Sequence, residues 1–180
     1  VNDVVVHGVP TEYKLKKGDV LTIDIGMQYQ GLHTDTAWTK IVDDQNDEFL
    51  RVGEASLWKA IDQAKRGNYV GHVSRAIEDS IVGAGYSIVK SLVGHGVGKT
   101  LHEDPQIPGF LRGSIEETPR LEAGMTIAIE VIYALGSGRV NYDHPDGWTV
   151  ATADGSISAV FEHTIAITQN SPVVLTKVSR

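Results

Sequence analysis

Two stretches of this sequence combine a strand pattern with a carboxylate among aliphatic side chains, and they constrain the fold most. "KKGDVLTIDIG" and "EAGMTIAIEVI" each contain a glycine followed six residues later by an acid, as Gly18 precedes Asp24 and Gly124 precedes Glu130. Because alternate side chains of a strand point to opposite faces, each acid stands on the face opposite its isoleucine neighbours. The repeat favours a fold of two similar halves that each contribute acids.

The rest of the pattern predicts an α+β fold. Two helices are predicted, over residues 46–66 and 70–83, the first capped by Asn46 and stopped by Gly67. Between the helices and the last strands, residues 94–120 are rich in Gly, His and Pro and are expected to form a functional loop region. Strands are predicted over residues 20–26, 32–39, 86–93, 125–134 and 157–168. Strands, then helices, then strands favour helices packed on one face of a largely antiparallel sheet.

Size and composition indicate one ordinary globular domain over residues 1–180. The net charge of −7 argues against a nucleic-acid-binding surface, which needs a basic stripe. The absence of cysteine excludes disulfides and thiolate metal sites, and it weakly favours a cytoplasmic location. No apolar run reaches the length that spans a membrane, so no membrane partner is expected.

Four acids in strand-like context and one histidine form the candidate metal site. A buried carboxylate is costly unless it is paired or bound to a metal, and a hairpin could return Asp35 alongside Asp24. Glycines on both sides of His95, in "GHGVG", would leave its imidazole accessible in a turn. Scattered acids that are paired or lie on edge strands are the alternative. The complete set, which suits two divalent cations (Mn, Fe, Co or Zn) and a hydrolase, is Asp24, Asp35, His95, Glu130 and Glu162.

Several motifs in one order resemble the methionine aminopeptidases. They are "NDVVVHGVP", "GHGVGKTLHEDPQIP", "IAIEV", "DGWT" and "FEHTIAIT", and they extend from Asn2 to Thr168. The short spacing from Glu130 to Glu162 resembles the type I enzymes. The resemblance implies the pita-bread fold with pseudo-twofold halves. It also implies removal of the N-terminal methionine from peptides and nascent proteins in the cytoplasm, with ribosome association as a further expectation.

The resemblance also implies a role for each site residue. The five candidate ligands would hold two divalent ions, with Asp35 and Glu162 bridging them, and Glu130 would double as the proton shuttle. The substrate would be contacted by His7 and His102 and bordered by Trp148 and Leu101, where many relatives have Phe in place of the leucine. A structural monovalent cation is expected near Asn2, Val4 and Ser158.

Two departures from the family pattern carry expectations of their own. Val131 follows Glu130 where the family usually has proline, and only a local change of the backbone is expected from it. Family members also carry a further segment before the "NDVV" motif that supplies part of the methionine pocket. The chain is therefore expected to be N-terminally truncated relative to the family and poorly active on methionyl peptides.

Two other functions fit the same residues. An X-Pro dipeptidase or aminopeptidase would share the fold and the five ligands, although "VHGVP" and "DGWT" favour the methionine enzyme. A non-catalytic pita-bread module that binds peptides or the ribosome is the alternative from another class. Such modules typically lose ligands, whereas this chain keeps all five.

Overall fold

The computed structural model describes residues 1–43 and 47–177. Within these ranges two helices lie between groups of strands, in the order that the sequence predicts. The elements are β1 (Val4–Val6), β2 (Val20–Tyr29), β3 (Leu32–Ile41), α1 (Glu48–Gln63), α2 (Val70–Gly83), β4 (Ser87–Ile88), β5 (Gly94–Gly96), β6 (Glu103–Ile107), a 3-10 turn (Ile115–Glu117), β7 (Thr126–Ala134), β8 (Val140–Asn141), β9 (Val150–Thr152), β10 (Ser158–Ala166) and β11 (Val173–Val174).

The main sheet is antiparallel and carries both helices on one face. Its strands run in the order β11-β10-β7-β5-β6, and β4 also pairs with β7. Alternate residues of β7, namely Ile127, Ile129, Val131 and Tyr133, are buried in a core with α1, α2 and Phe161 of β10. The expectation that an aliphatic face stands opposite Glu130 is confirmed, and the acid is left on the face away from the helices.

The hairpin of β2 and β3 lies alongside β10 and is joined to it through hydroxyl groups. The Thr164 hydroxyl donates to the Asp35 carbonyl oxygen and accepts from the Asp35 N–H, both at 2.8 Å. Thr39 does the same with Val160, donating to its carbonyl at 2.8 Å and accepting from its N–H at 2.9 Å. We call the three residues Thr36, Thr39 and Thr164 the threonine junction.

The same kind of turn precedes both strand pairs, β2 with β3 and β7 with β10. Gly18 has φ of 89° and its N–H donates to Val42, directly after β3, at 2.9 Å. Gly124 has φ of 99° and its N–H donates to Ile167, directly after β10, also at 2.9 Å. A left-handed conformation favours glycine, so the glycine of each repeat has a structural reason. The sequence repeat thus corresponds to two similar strand pairs.

Helix α1 is shorter than the sequence predicts. Asn46, the predicted cap, lies outside the described residues, and the Asp47 side chain accepts from the Leu50 N–H at 3.3 Å. The predicted end at Arg66 is wrong, because the backbone leaves the helix at Ala64, where ψ is 54°. Helix α2 matches its predicted range. No helix in the described part of the chain is long and apolar enough to cross a membrane.

The predicted strand 86–93 is wrong over most of its length. Only Ser87 and Ile88 pair with β7, and the chain then turns at residues 90–91 before β5 begins. The Val89 N–H still donates to Ile132 at 3.0 Å. The apolar run indicated a continuous strand because Ile88 and Val89 are both buried, but burial here comes from packing rather than from a long ladder.

The outer face of β2, which carries the isoleucines on either side of Asp24, is exposed. Ile23 is 56% exposed, Ile25 51% and Met27 59%, whereas Val20 at the start of the strand is buried. Helices α1 and α2 cover the corresponding face of β7 and β10, and nothing in residues 1–43 or 47–177 covers this face of β2. The alternation correctly predicts which side chains of β2 share a face. Whether that face is buried depends on which other elements pack against it.

Candidate active site

Four carboxylates from two strand pairs converge on one face. Glu130 and Glu162 stand directly opposite each other in the register of β7 and β10. Asp24 is opposite Ala37 and Asp35 is opposite Gly26, so the two aspartates are offset diagonally rather than side by side. Ligand atoms of Asp24, Asp35 and Glu162 all lie within 4.8 Å of one another, as do those of His95, Glu130 and Glu162. The structure therefore brings all five predicted ligands together.

His95 lies in a strand and not in the expected glycine-rich turn. It occupies the middle of β5, is 7% exposed, and is opposite Ala128 of β7. Its flanking glycines are needed for close approach, because a Cβ on Gly94 or Gly96 would collide with a carbonyl oxygen of a neighbouring strand. The glycines thus let β5 lie close to both neighbouring strands, which holds His95 beside the acids rather than in a mobile turn.

The ring of His95 presents an unprotonated nitrogen to the acids. Its Nδ1 lies 2.9 Å from the Gly96 carbonyl oxygen, which can only accept, so Nδ1 carries the proton. Burial lowers the pKa of His95, which favours the neutral ring. Its Nε2 then faces Asp35 Oδ2 and Glu130 Oε1, each at 3.8 Å, too far for a hydrogen bond.

The lone pair of His95 Nε2 faces carboxylates that are too far away for hydrogen bonds, and this arrangement is suited to binding a cation. Four carboxylates and the lone pair of an imidazole nitrogen that lie this close together repel one another unless positive charge lies between them. Oxygen and imidazole donors suit divalent transition metals. A metal-binding histidine usually donates its other ring N–H to a carbonyl or carboxylate oxygen, which fixes the tautomer, as Nδ1 of His95 does to Gly96. The donor set of this structure therefore fits divalent metal ions.

The closeness of the acids to one another also raises their pKa values. Burial, and then the charges of Asp24 and Asp35, raise the pKa of Glu130 to about 8. Burial and the neighbouring Glu130 raise the pKa of Glu162 well above its ordinary range. Asp24 is exposed as a whole residue, yet its carboxyl group is partly desolvated and the nearby Asp35 adds to the rise of its pKa. Without cations, the cluster favours bound protons.

The threonine junction supports the acids from behind, a role that the sequence analysis did not find. The Thr36 hydroxyl donates to the Glu162 carbonyl oxygen at 2.8 Å, and Thr164 holds both backbone groups of Asp35. These bonds connect the strands that carry Asp35 and Glu162. The only signal in the sequence is a threonine beside each acid, in "DT" and "EHT", which is uninformative until the strands are known to be neighbours.

Two exposed histidines flank the acid cluster. The His102 ring lies edge-on to that of His95, with 4.3 Å between centroids. His7, directly after β1, has φ of 58° and stacks on Trp148 with 5.3 Å between centroids. Burial raises the pKa of both Asp24 and Asp35, and the nearby His7 and His102 partly offset this rise, His7 for Asp24 and His102 for Asp35. The predicted substrate-contacting residues thus border the cluster.

Leu101 and the predicted cation site also occupy defined places. A Cβ on Gly26, which is opposite Asp35 in register, would lie 3.3 Å from the Leu101 Cδ1, so Leu101 packs against β2 beside the cluster. At the start of β10, the Ser158 hydroxyl lies 3.2 Å from the Asn2 carbonyl oxygen and 3.3 Å from that of Val4. The three oxygens lie close together, and the monovalent cation expected there stays a prediction.

Comparison with known proteins agrees with the geometry. The profile of metallopeptidase family M24 matches residues 1–169. Methionine aminopeptidase 1 of Bacillus subtilis is 45% identical, over 99% of this chain and 72% of its own length. The methionine aminopeptidase structure from Thermotoga maritima superposes with a TM-score of 0.93 at 44% identity, over 98% of this chain and 72% of that one.

A prolidase structure from Pyrococcus furiosus is more distant, with a TM-score of 0.72 at 25% identity, over 97% of this chain and 46% of that one. Both kinds of neighbour have the pita-bread fold, so the predicted fold is confirmed. The family match, the relatives and the converging acids agree, and the chain belongs to metallopeptidase family M24.

Proposed function

We propose that this chain removes the N-terminal methionine from peptides and nascent proteins. The observation that carries the proposal is the unprotonated Nε2 of His95 facing buried carboxylates, in a chain 45% identical to a methionine aminopeptidase. The match to the prolidase is weaker in TM-score and covers less than half of that protein. A non-catalytic module would have no need for such a costly cluster of acids. Ribosome association belongs to the same proposal.

The cluster would hold two divalent ions, drawn from Mn, Fe, Co and Zn. Asp35 and Glu162 would bridge them, because each belongs to two groups of close ligand atoms, one that contains His95 and one that contains Asp24. When bound, the ions would supply Lewis-acid activation of water and of the scissile carbonyl group. A monovalent cation between Asn2, Val4 and Ser158 would tie β1 to the start of β10.

Glu130 is suited to move the proton of the reaction. A general base that later acts as an acid works best when its pKa is near the working pH. In the metal-free cluster, burial and the charges of Asp24 and Asp35 raise the pKa of Glu130. Bound cations would lower it again, so the carboxylate can accept a proton from the attacking water and deliver it to the leaving amine.

The flanking residues would orient the substrate. His102, with its ring against that of His95, would donate a hydrogen bond to the carbonyl oxygen as it becomes an oxyanion. His7 would lie near the scissile amide, and Trp148, stacked on His7, would border the methionine side chain together with Leu101. Holding the peptide in this way removes orientational freedom before the reaction.

A substrate comparison tests the proposal. The chain, saturated separately with Mn, Fe, Co and Zn, is assayed for release of the first residue from Met-Gly-Gly and from Ala-Pro. We expect methionine release with at least one metal, two divalent ions per chain by elemental analysis, and no comparable cleavage of Ala-Pro. Preferential cleavage of Ala-Pro would favour the dipeptidase, and absence of bound metal at saturation would contradict the proposal.

A further inference from the structure

One carboxylate outside the acid cluster organises the loop that carries Trp148. Asp146 accepts hydrogen bonds from the N–H groups of Trp148 and Thr149, both at 2.9 Å, and from the Thr149 hydroxyl at 2.6 Å. His144 Nδ1 lies 3.0 Å from the same carboxylate. The turn is closed by a bond from the Gly147 N–H to the His144 carbonyl at 2.8 Å. One side chain therefore fixes the backbone of both residues that follow Gly147.

Both of those residues touch His7. The Trp148 indole stacks on the His7 imidazole at an interplanar angle of 29°, and the Thr149 hydroxyl lies 3.5 Å from the His7 carbonyl oxygen. The backbone of His7 is left-handed, with φ of 58°, a conformation that persists in a non-glycine residue only when its surroundings enforce it. Trp148 itself is 65% exposed, so packing alone does not hold the indole.

We infer that Asp146 is a positioning residue that sets the place of the His7 imidazole, acting through Trp148 and Thr149. The inference rests on the proposed function, in which His7 contacts the substrate. The hydrogen bonds from Thr149 and then from Trp148 also hold the pKa of Asp146 well below its usual range, so its carboxylate stays charged through the physiological range of pH. Nothing in the motif "DGWT" distinguishes this role from that of an ordinary turn aspartate.

The chain contains a matched control for this carboxylate. Asp154 accepts from the Ser156 hydroxyl at 2.6 Å and from two backbone N–H groups, those of Ser156 at 3.2 Å and Ser137 at 2.8 Å. Its bonding pattern is that of Asp146, but its partners are not the residues that contact His7. If a loss of activity came only from removing a carboxylate that holds a turn, substitution of Asp146 and substitution of Asp154 would lower the activity equally.

A double-mutant cycle tests the inference with Asp146→Ala, His7→Ala and the double variant, alongside Asp154→Ala. We expect Asp146→Ala to lower kcat/KM for Met-Gly-Gly by about 10-fold or more, since small misplacement of a catalytic group is costly. In the His7→Ala background the same change should cost less than about 2-fold, because interacting residues are not additive. Asp146→Asn, which keeps an acceptor oxygen, should retain most of the activity, and Asp154→Ala should match the unaltered chain.

Two kinetic results would overturn the inference: an unchanged kcat/KM in Asp146→Ala, or an equal loss with and without His7. Metal content and thermal unfolding, measured on each variant, show whether the fold is retained. If the unaltered chain does not cleave Met-Gly-Gly, the proposed function fails. The positioning role is then still tested by NMR, from the indole N–H resonance of Trp148, which is assigned by its absence in Trp148→Phe. A shift of this resonance in Asp146→Ala and not in Asp154→Ala supports the role, and an unshifted resonance in Asp146→Ala refutes it.

Discussion

Glu130 and Glu162 face each other across the register of β7 and β10, on the side of the sheet away from the helices. Neither acid has a lysine or arginine partner among the ion pairs of the described residues, and the charge of Glu130 raises the pKa of Glu162. Two acids at directly paired positions, Glu162 buried and Glu130 partly so, repel each other when both are ionised. The arrangement is unfavourable in a metal-free protein and becomes favourable when cations lie between the strands.

Replacement of Glu130 by glutamine should separate proton transfer from metal binding. Glutamine keeps one oxygen donor but cannot take up a proton, so we expect kcat to fall by about 10²–10⁴-fold with most of the metal still bound. Turnover of Met-Gly-Gly and elemental analysis measure the two quantities. Glu116→Gln, on the exposed 3-10 turn, is the control and should change neither. Near-normal turnover by Glu130→Gln with metal bound would rule out the proton-shuttle role.

Divalent metal should stabilise the fold, because ions bind the assembled acids and not the unfolded chain. At a free metal concentration 100 times Kd, the expected gain is about 2.7 kcal/mol. For a chain of this size that corresponds to a rise in Tm of roughly 5–10 °C. Thermal unfolding with metal and with a chelator provides the measurement, and identical Tm values would show that the cluster does not bind the ion tested.

The metal-free protein should lose stability as the pH rises from about 6.5 to 8. The pKa of Glu130 is raised from 4.5 to about 8, so the folded state holds a proton that the unfolded state has released. Stability therefore falls with pH in this window and is fully present only below the unfolded pKa. The lowered pKa of His95 acts in the opposite direction, but only below its ordinary value of 6.5.

Thermal unfolding of the chelated protein across this range is the test. Glu130→Gln should weaken the fall with pH, because it removes one group with a raised pKa, while burial still raises the pKa of Glu162. Saturating metal should flatten the profile, because ions replace the protons of the cluster. A Tm of the metal-free protein that does not fall with pH, or that falls equally in Glu130→Gln, contradicts the assignment.

The sequence predicted the acids well because strand alternation is a local property. The positions of Asp24 and Glu130 on one face, and of Ile127 and Ile129 on the other, follow from period two alone. The exposed outer face of β2 and the threonine junction could not be predicted in the same way. Both depend on which element packs against which strand, and Ile23 and Thr164 carry no local signal of that.

The threonine junction gives a further test of how the two halves are held together. Thr164→Val removes the partner of the Asp35 N–H and carbonyl, and two unsatisfied buried backbone groups should cost about 2–4 kcal/mol in the free energy of unfolding. Metal affinity should fall about 10–100-fold, as it does when the outer support of a ligand is lost. Denaturant unfolding and metal titration measure both effects. Thr34→Val, on β3 beside Asp35, lies outside the junction and should change little. Equal effects of the two variants would contradict the role of Thr164.

Gly26 should determine how much room remains beside Leu101. A valine at position 26 would bring its Cβ to 3.3 Å from the Leu101 Cδ1 and add further methyl groups, so Leu101 must move away from β2. If Leu101 borders the methionine pocket, kcat/KM should fall about 10-fold or more for methionyl peptides and less for alanyl peptides, because a misfitted methylene costs about 1–3 kcal/mol. Leu101→Ala in the same chain should restore methionine release. Gly83→Ala, where a Cβ meets open space, is the control, and equal losses for both substrates would show that Leu101 does not line the pocket.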